Sequence, residues 1–411
     1  MLLLTCSWKL WTPQTVFPQI PFFSWAVHAP PAVDWLSLLL LIVCSFALMF
    51  SPSAPRSSAG ENSRQMSWAL YGLILGFVVQ VGLDQQRAQV WCYQLGLFSA
   101  VLVAASHDAR AILSLRWIVV GLYLHSGLSK CDHSFVNTYG QQLIETLLSQ
   151  VGLTLRFQSE PVRRCLAATL PIAELCIACG LVFSRSRRIS LIGATAMHTL
   201  LLVSLGPSGL NHHATVLVWN AYFLMQIWIL FGRGRTEPET DTSLISAMAK
   251  MSLRDTPRNV ACVSLIAVAT LLPFAEPWGY LDHWPGWALY SSRSPRVKLL
   301  VKHTARERLT ADQRRHLEET RAMNDWCHMN LHRWTLDALD VPIYPQRRFQ
   351  LAVMLALVRA HDLDSAIRIE EFSAPDRWTG QRSMRRIENG QQLAAECRTF
   401  LINTQPRSHR E

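Results

Sequence analysis

Apolar and polar positions along the chain follow two regimes. From residue 33 to residue 275 the sequence runs in long apolar stretches, 33-50, 67-83, 90-106, 111-130, 162-183, 189-205, 212-231 and 259-275, separated by short polar breaks. A helix rises about 1.5 Å per residue, so runs of this length suit a hydrocarbon layer of about 30 Å. About eight transmembrane helices are predicted. The breaks agree: "SPSAPRSSAG" after Phe50, "SRSRR" after Phe183, "GPSGLN" after Leu205 and "GRGRTEPETD" after Phe231 are turn and linker compositions.

Beyond Ala275 the periodicity changes. "RVKLLVKH" and "AIRIEEF" read as strands, whereas "TADQRRHLEETRAM", "YPQRRFQLAVMLALVRAHDL" and "GQQLAAECRTFL" carry the spacing of amphipathic helices. The apolar centre of the middle one, "FQLAVMLALV", is too short to span and predicts a buried core helix. The expected fold class is therefore an α-helical polytopic membrane protein with a small C-terminal α/β soluble domain. Its expected divisions are an interfacial lead-in over 1-32, three transmembrane helices over 33-110, and a four-helix core over 111-231. A cytoplasmic linker over 232-258, a last transmembrane helix over 259-275 and an extracytoplasmic α/β domain over 276-411 complete the chain.

Sidedness comes from the short loops. Those after the first, third, fifth and seventh runs carry Arg56, Arg64, Arg110, Arg185, Arg187, Arg188, Arg233, Arg235, Lys250, Arg254 and Arg258. The alternate loops carry Arg87, Lys130 and Arg156, with Arg163 and Arg164 at a helix edge. Because cytoplasmic loops hold the excess of Lys and Arg, both termini are predicted outside, in a plasma (inner) membrane.

Composition adds little that contradicts this. The 411 residues are 50% hydrophobic and 17% charged, with 15 Trp, and the formal charge is +10. The basic residues form no long run, so the charge reads as topology signal and solvated surface, and nucleic acid is not an expected partner. The N-terminus lacks the basic region and the length of a signal peptide; "LLTC", ending at Cys6, is a weak lipoprotein-like string. The 10 Cys fall mainly in apolar runs, as small hydrophobes do, and imply no disulfide framework.

Candidate chemistry sits inside the bilayer. "LRWIVVGLYLHSGLSK" (115-130) contains Arg116, His125 and Lys130, and intramembrane charges usually pair or serve a pathway. At about 100° per residue, Arg116, Tyr123, Gly127 and Lys130 share one stripe while His125 points away. Lys130, at the outer boundary, is expected to snorkel. Counted from the cytoplasmic ends of their runs, Glu174, His198 and Asn220 fall at compatible depth, and Arg116 is long enough to reach them. An Arg116–Glu174 ion pair with His198 and Asn220 as hydrogen-bond partners is predicted, either as a brace or as a site for a polar headgroup or quinone-like ligand.

Other constellations carry less. "CIAC" places Cys176 and Cys179 inside a span, where helix geometry suits a disulfide poorly, so buried thiols are the plainer reading than a redox pair. "KCDHSF" and "NHHA" put His133, His212 and His213 at the outer boundary, but their spacing matches no metal site. No phosphate-binding glycine loop, G-x-S-x-G elbow or H-E-x-x-H string occurs.

The stretch "LRWIVVGLYLHSGLSK" followed by "LPIAELCIACGLVFSRSRR" resembles the DoxX/MauE superfamily of small four-helix membrane proteins. Arg116, Gly121, Gly127, Leu128, Lys130, Pro171, Glu174 and Leu175 carry the likeness, which covers about 111-231. The resemblance implies a redox-associated role beside thiol, quinone or electron-transfer partners. Membrane lipid and an extracytoplasmic or membrane protein are the expected partners. The chain departs from the MauE branch in lacking a closely spaced Cys pair at the end of this core, in "VSLGPSGLNHHATVLVWN". It is more distantly similar to the vitamin K-dependent carboxylase-like membrane domain, which joins a bundle to an extracytoplasmic part; "DHWPGWALY" (282-290) marks where that junction would fall. Binding protein, membrane enzyme and structural anchor for the C-terminal domain remain the three functional expectations.

Overall fold

The computed structural model describes residues 1–50, 59–105, 108–232, 243–250, 257–319 and 325–408. The long helices are α1 (Ala32–Met49), α2 (Ala59–Leu83), α3 (Val90–Ala104), α4 (Asp108–Lys130), α5 (Tyr139–Ser149), α6 (Glu160–Val182), α7 (Ser184–Leu205), α8 (Ala214–Ile227) and α9 (Pro257–Thr270). Among the described residues, seven stretches are long and apolar enough to cross a membrane. The predicted third span, α3, is the shortfall at 15 residues. The α5 helix has no counterpart among the predicted runs: its Gly140 and Leu143 are buried while Gln142 and Ser149 are exposed, an amphipathic pattern rather than an apolar run. Of the loop charges used for sidedness, Arg56, Arg233, Arg235 and Arg254 lie outside the described residues.

The C-terminal region forms an antiparallel five-stranded sheet in the order β2-β3-β1-β4-β5. Its strands are β1 (Arg296–Lys302), β2 (Leu317–Glu319), β3 (Trp326–Met329), β4 (Ile367–Phe372) and β5 (Met384–Ile387), with helices α10 (Leu331–Leu339), α11 (Arg347–Ala360) and α12 (Gly390–Cys397). Alternation decides the buried face: Leu299 and Val301 of β1 and Ile367 and Ile369 of β4 have no exposed surface, and "FQLAVMLALV" is a buried core helix. The helix predicted over 310-323 is a correction. A capping box formed by Thr310 and Gln313 starts only the short helix Ala311–Arg314, and Leu317–Glu319 then pairs with β3. Cross-strand hydrogen bonding outweighed the helical charge spacing there.

Two compact units divide the chain: residues 1–92, 294–375 and 381–411 in one, and residues 93–293 with 376–380 in the other. In the first, α1 and α2 pack closely because Gly76 carries no side chain; a Cβ there would lie 2.7 Å from Leu41 Cδ2. The lead-in, predicted to be interfacial, supplies core: Trp11 is wholly buried edge-on to Trp91 at 5.3 Å, and Phe17 meets Trp334 at 4.7 Å.

The short 84–89 connection of this unit is buried as well. Arg87 was expected to be a loop charge; its Nη1 instead pairs with Asp34 Oδ1 at 2.6 Å, and Arg407 Nη1 reaches Asp34 Oδ2 at 2.7 Å. The remaining guanidinium N–H groups donate to the carbonyls of Leu10 and Thr12 from Arg87, and to the carbonyls of Ala29 and Pro30 and to Gln19 Oε1 from Arg407. Each charge thus has a partner, as buried ions require.

Candidate functional site

The second unit holds the predicted polar residues. Its central helix, α4, is flanked by α6 and α9, and two glycines permit the approach. A Cβ on Gly127 would lie 2.9 Å from Leu175 Cγ and 3.2 Å from the Pro171 carbonyl, and one on Gly121 would lie 2.7 Å from Thr270 Cγ2. Lys130 follows Gly127 by three residues, and Glu174 follows Pro171 by three. The same helical step therefore carries the amine and the carboxylate towards each other.

Lys130 Nζ donates to both Glu174 oxygens at 2.8 Å, to Ser126 Oγ at 2.6 Å and to the Ser126 carbonyl at 3.2 Å. This corrects two expectations: Lys130 is buried rather than snorkelling, and Glu174 is paired with Lys130 rather than Arg116. Arg116 Nε donates to the Leu230 carbonyl at 2.6 Å, with its guanidinium 5.6 Å from the Phe231 ring centroid. The two basic residues are 14 positions apart, which in a helix is about 21 Å. Arg116 serves the other end of the bundle.

Tyr123 OH lies 2.8 Å from His198 Nε2, and His198 Nδ1 lies 3.2 Å from Asn220 Oδ1. Asn220 Nδ2 donates to the Val216 carbonyl at 2.9 Å, which orients the amide. An amide oxygen only accepts, so Nδ1 carries the proton and Nε2 accepts from the Tyr123 hydroxyl. His198 also stacks on Phe223 at 4.9 Å.

Two hollows meet at Glu174 and Tyr290. One, a cavity of about 30 Å³, is lined by Tyr123, Ser126, Glu174, His198, Asn220 and Tyr290 among others. The other, of about 60 Å³, has Lys130, Glu174, Ser204 and Tyr290 at its polar edge and Leu143, Leu147, Leu170 and Leu200 among its apolar walls. Tyr290 follows the last long helix, has a left-handed φ of 53° and stacks on Tyr139 at 6.1 Å. Burial pushes its phenol up to about 12. That segment is fixed by Trp287, whose indole donates to the Ala269 carbonyl at 2.9 Å, and by His283 Nδ1 on Glu276 Oε1 at 2.5 Å.

Of the predicted residues, Glu174, His198 and Asn220 come together and Arg116 does not join them. His125 contacts the Thr270 carbonyl through Nε2 at 2.8 Å. His133 is exposed beside Gly380, where a Cβ would meet its Nδ1 at 2.6 Å, and His212 and His213 are half-buried. Among the described residues no three His, Cys, Asp or Glu side chains gather as metal ligands. Cys176 and Cys179 are free thiols, exposed on the outside of α6 rather than buried within the bundle. Tyr123 lay on the polar stripe of α4 without a role assigned to it. Tyr290 had no signal beyond its place in "DHWPGWALY". Comparison with protein-family models, curated proteins and solved structures finds no match.

Proposed function

We propose that this is a redox-associated integral membrane protein that binds a quinone-like or lipid-like molecule in the paired hollows at Glu174 and Tyr290. One observation carries the reading: a charge-balanced Lys130–Glu174 pair and the Tyr123–His198–Asn220 chain border two adjoining hollows. The lining contributes one positive and one negative charge, so a neutral head that hydrogen-bonds disturbs it less than an ionic one. A ligand would have to widen the hollows, with Tyr123, Phe223, Trp219 and Tyr290 flanking a flat ring and the leucines flanking an apolar tail. The likeness to the DoxX/MauE superfamily supports the same role, because its two motif segments are those in contact through Gly127, Pro171 and Leu175.

The C-terminal domain is proposed to be extracytoplasmic. The larger number of Lys and Arg in the loops of the opposite set supports this side. An enzyme of vitamin K-dependent carboxylase-like type is a second reading, favoured by an amine, Lys130, on the wall of a hollow.

The test is solvent extraction of the detergent-purified chain. A near-ultraviolet chromophore that bleaches on borohydride reduction, in a fixed ratio to protein, is the expected result. An extract free of any such species, from protein purified in mild detergent and resupplied with ubiquinone and menaquinone, would contradict it.

A further inference from the structure

The connection between α5 and α6 exposes an apolar surface where the chain is about to enter a span. Val151 is 70% exposed, Leu153 59% and Phe157 89%, while Leu155 between them is buried. The turn is built and held. Glu145 accepts hydrogen bonds from Thr154 Oγ1 at 2.7 Å and from the Leu155 N–H at 2.5 Å, and the Leu153 N–H donates to the Leu148 carbonyl at 2.9 Å. These bonds hold the Glu145 carboxyl below its ordinary range. Gly152, at φ 73°, supplies the left-handed residue that reverses the chain.

Position identifies what this surface meets. Phe157 is three residues before Glu160, where the stretch Glu160–Val182 begins, and three residues reach at most about 10 Å. The α5 helix divides its faces accordingly: Leu143 and Leu147 wall the larger hollow, while Gln142 and Ser149 are exposed. Exposed Arg156 stands beside Phe157. We infer that the 150–158 turn is an interfacial foot, seated in the lipid leaflet with Val151, Leu153 and Phe157 at the headgroup–acyl boundary and Arg156 at phosphate level. The inference rests on Glu160–Val182 being a span and does not depend on any ligand in the hollows.

The test places a bimane label on Phe157→Cys in the full chain, with exposed Cys165, Cys176 and Cys179 changed to Ser, in vesicles of phosphatidylcholine and phosphatidylglycerol. Leu153→Cys serves if the first variant loses the elution volume or melting temperature of the parent. Phosphatidylcholine brominated near the top of its acyl chains should quench several-fold more than aqueous iodide, whereas a label on Gln142→Cys should respond to iodide. Dominant iodide quenching at Phe157 would overturn the inference, and protection from both quenchers would overturn it too, by showing a protein cover from a second copy or a partner.

Discussion

Two buried ion clusters, made from the same side-chain chemistry, differ in what surrounds them. In the first unit Asp34 is held between Arg87 and Arg407, and the spare guanidinium donors end on backbone carbonyls of the lead-in and on Gln19 Oε1. In the second, Lys130 and Glu174 neutralise each other beside two hollows that share Glu174 and Tyr290. Charge burial alone is therefore no mark of a site. Both clusters are satisfied by groups of this chain; what separates them is that packed side chains and backbone surround the first, while the second borders hollows.

The comparison breaks most visibly at Asp34. Asp34→Ala leaves two guanidiniums buried without a carboxylate, and the loss should reach or exceed the about 3–5 kcal/mol of a broken buried pair. Thermal unfolding in detergent reads it, and a change within about 1 kcal/mol would remove the brace. Lys130→Met or Glu174→Leu alone should cost a few kcal/mol, and the double variant should recover much of that. The Arg116→Met and Glu174→Leu pair, by contrast, should be additive within about 0.5 kcal/mol. Coupling of Arg116 to Glu174, with none between Lys130 and Glu174, would reverse the assignment.

How far these clusters were legible in the sequence follows from where depth was counted. Apolar run lengths place most ends of the long helices within a few residues but miss the start of α2 by eight, the start of α7 by five and the whole of α5, and Glu174, His198 and Asn220 are legible as a level. Two things displace the count. "SRSRR" is helical and α7 starts at Ser184, so His198 is 14 residues in, not nine. The ends of α4 and α6 are also not level: Arg116 and Glu174 each lie eight residues in from Asp108 and Val182, yet Gly127, 19 in, packs on Pro171, 11 in, a stagger of about 12 Å that brings Glu174 to Lys130 and leaves Arg116 behind. The Asp34 cluster was illegible for a different reason, since its members come from residues 34, 87 and 407 and meet only through tertiary packing. A polar "DQQRAQ" loop carries no sign that it will be buried; its glutamines are spent on partners such as the Pro342 and Asn403 carbonyls.

A smaller effect sharpens the brace. Asp84 opens the same loop, its Oδ1 accepting from the Ile20 and Gln86 N–H groups, and burial raises its carboxyl to about 6 against the lowering pull of Arg87. A carboxyl raised from about 3.9 binds its proton more tightly in the folded state, so its contribution to stability falls as pH rises from about 4 through 6, by up to about 3 kcal/mol. Asp84→Asn should remove that slope and leave stability at pH 8 unchanged or higher. Melting temperatures across the range check the sign, and a variant that loses stability above pH 7 would contradict it.

The most direct test of the division between brace and site is His198→Phe, with extractable ligand and melting temperature measured on one sample. Phenylalanine keeps the bulk against Phe223 and removes both ring nitrogens, leaving the Tyr123 hydroxyl and the Asn220 oxygen without their partner. The stability loss should stay near the about 1–3 kcal/mol of unsatisfied polar groups. If the hollows hold a ligand against the Tyr123–His198–Asn220 chain, its retention falls to background while the fold persists. Full retention with a lowered melting temperature would make this cluster a brace like the one at Asp34.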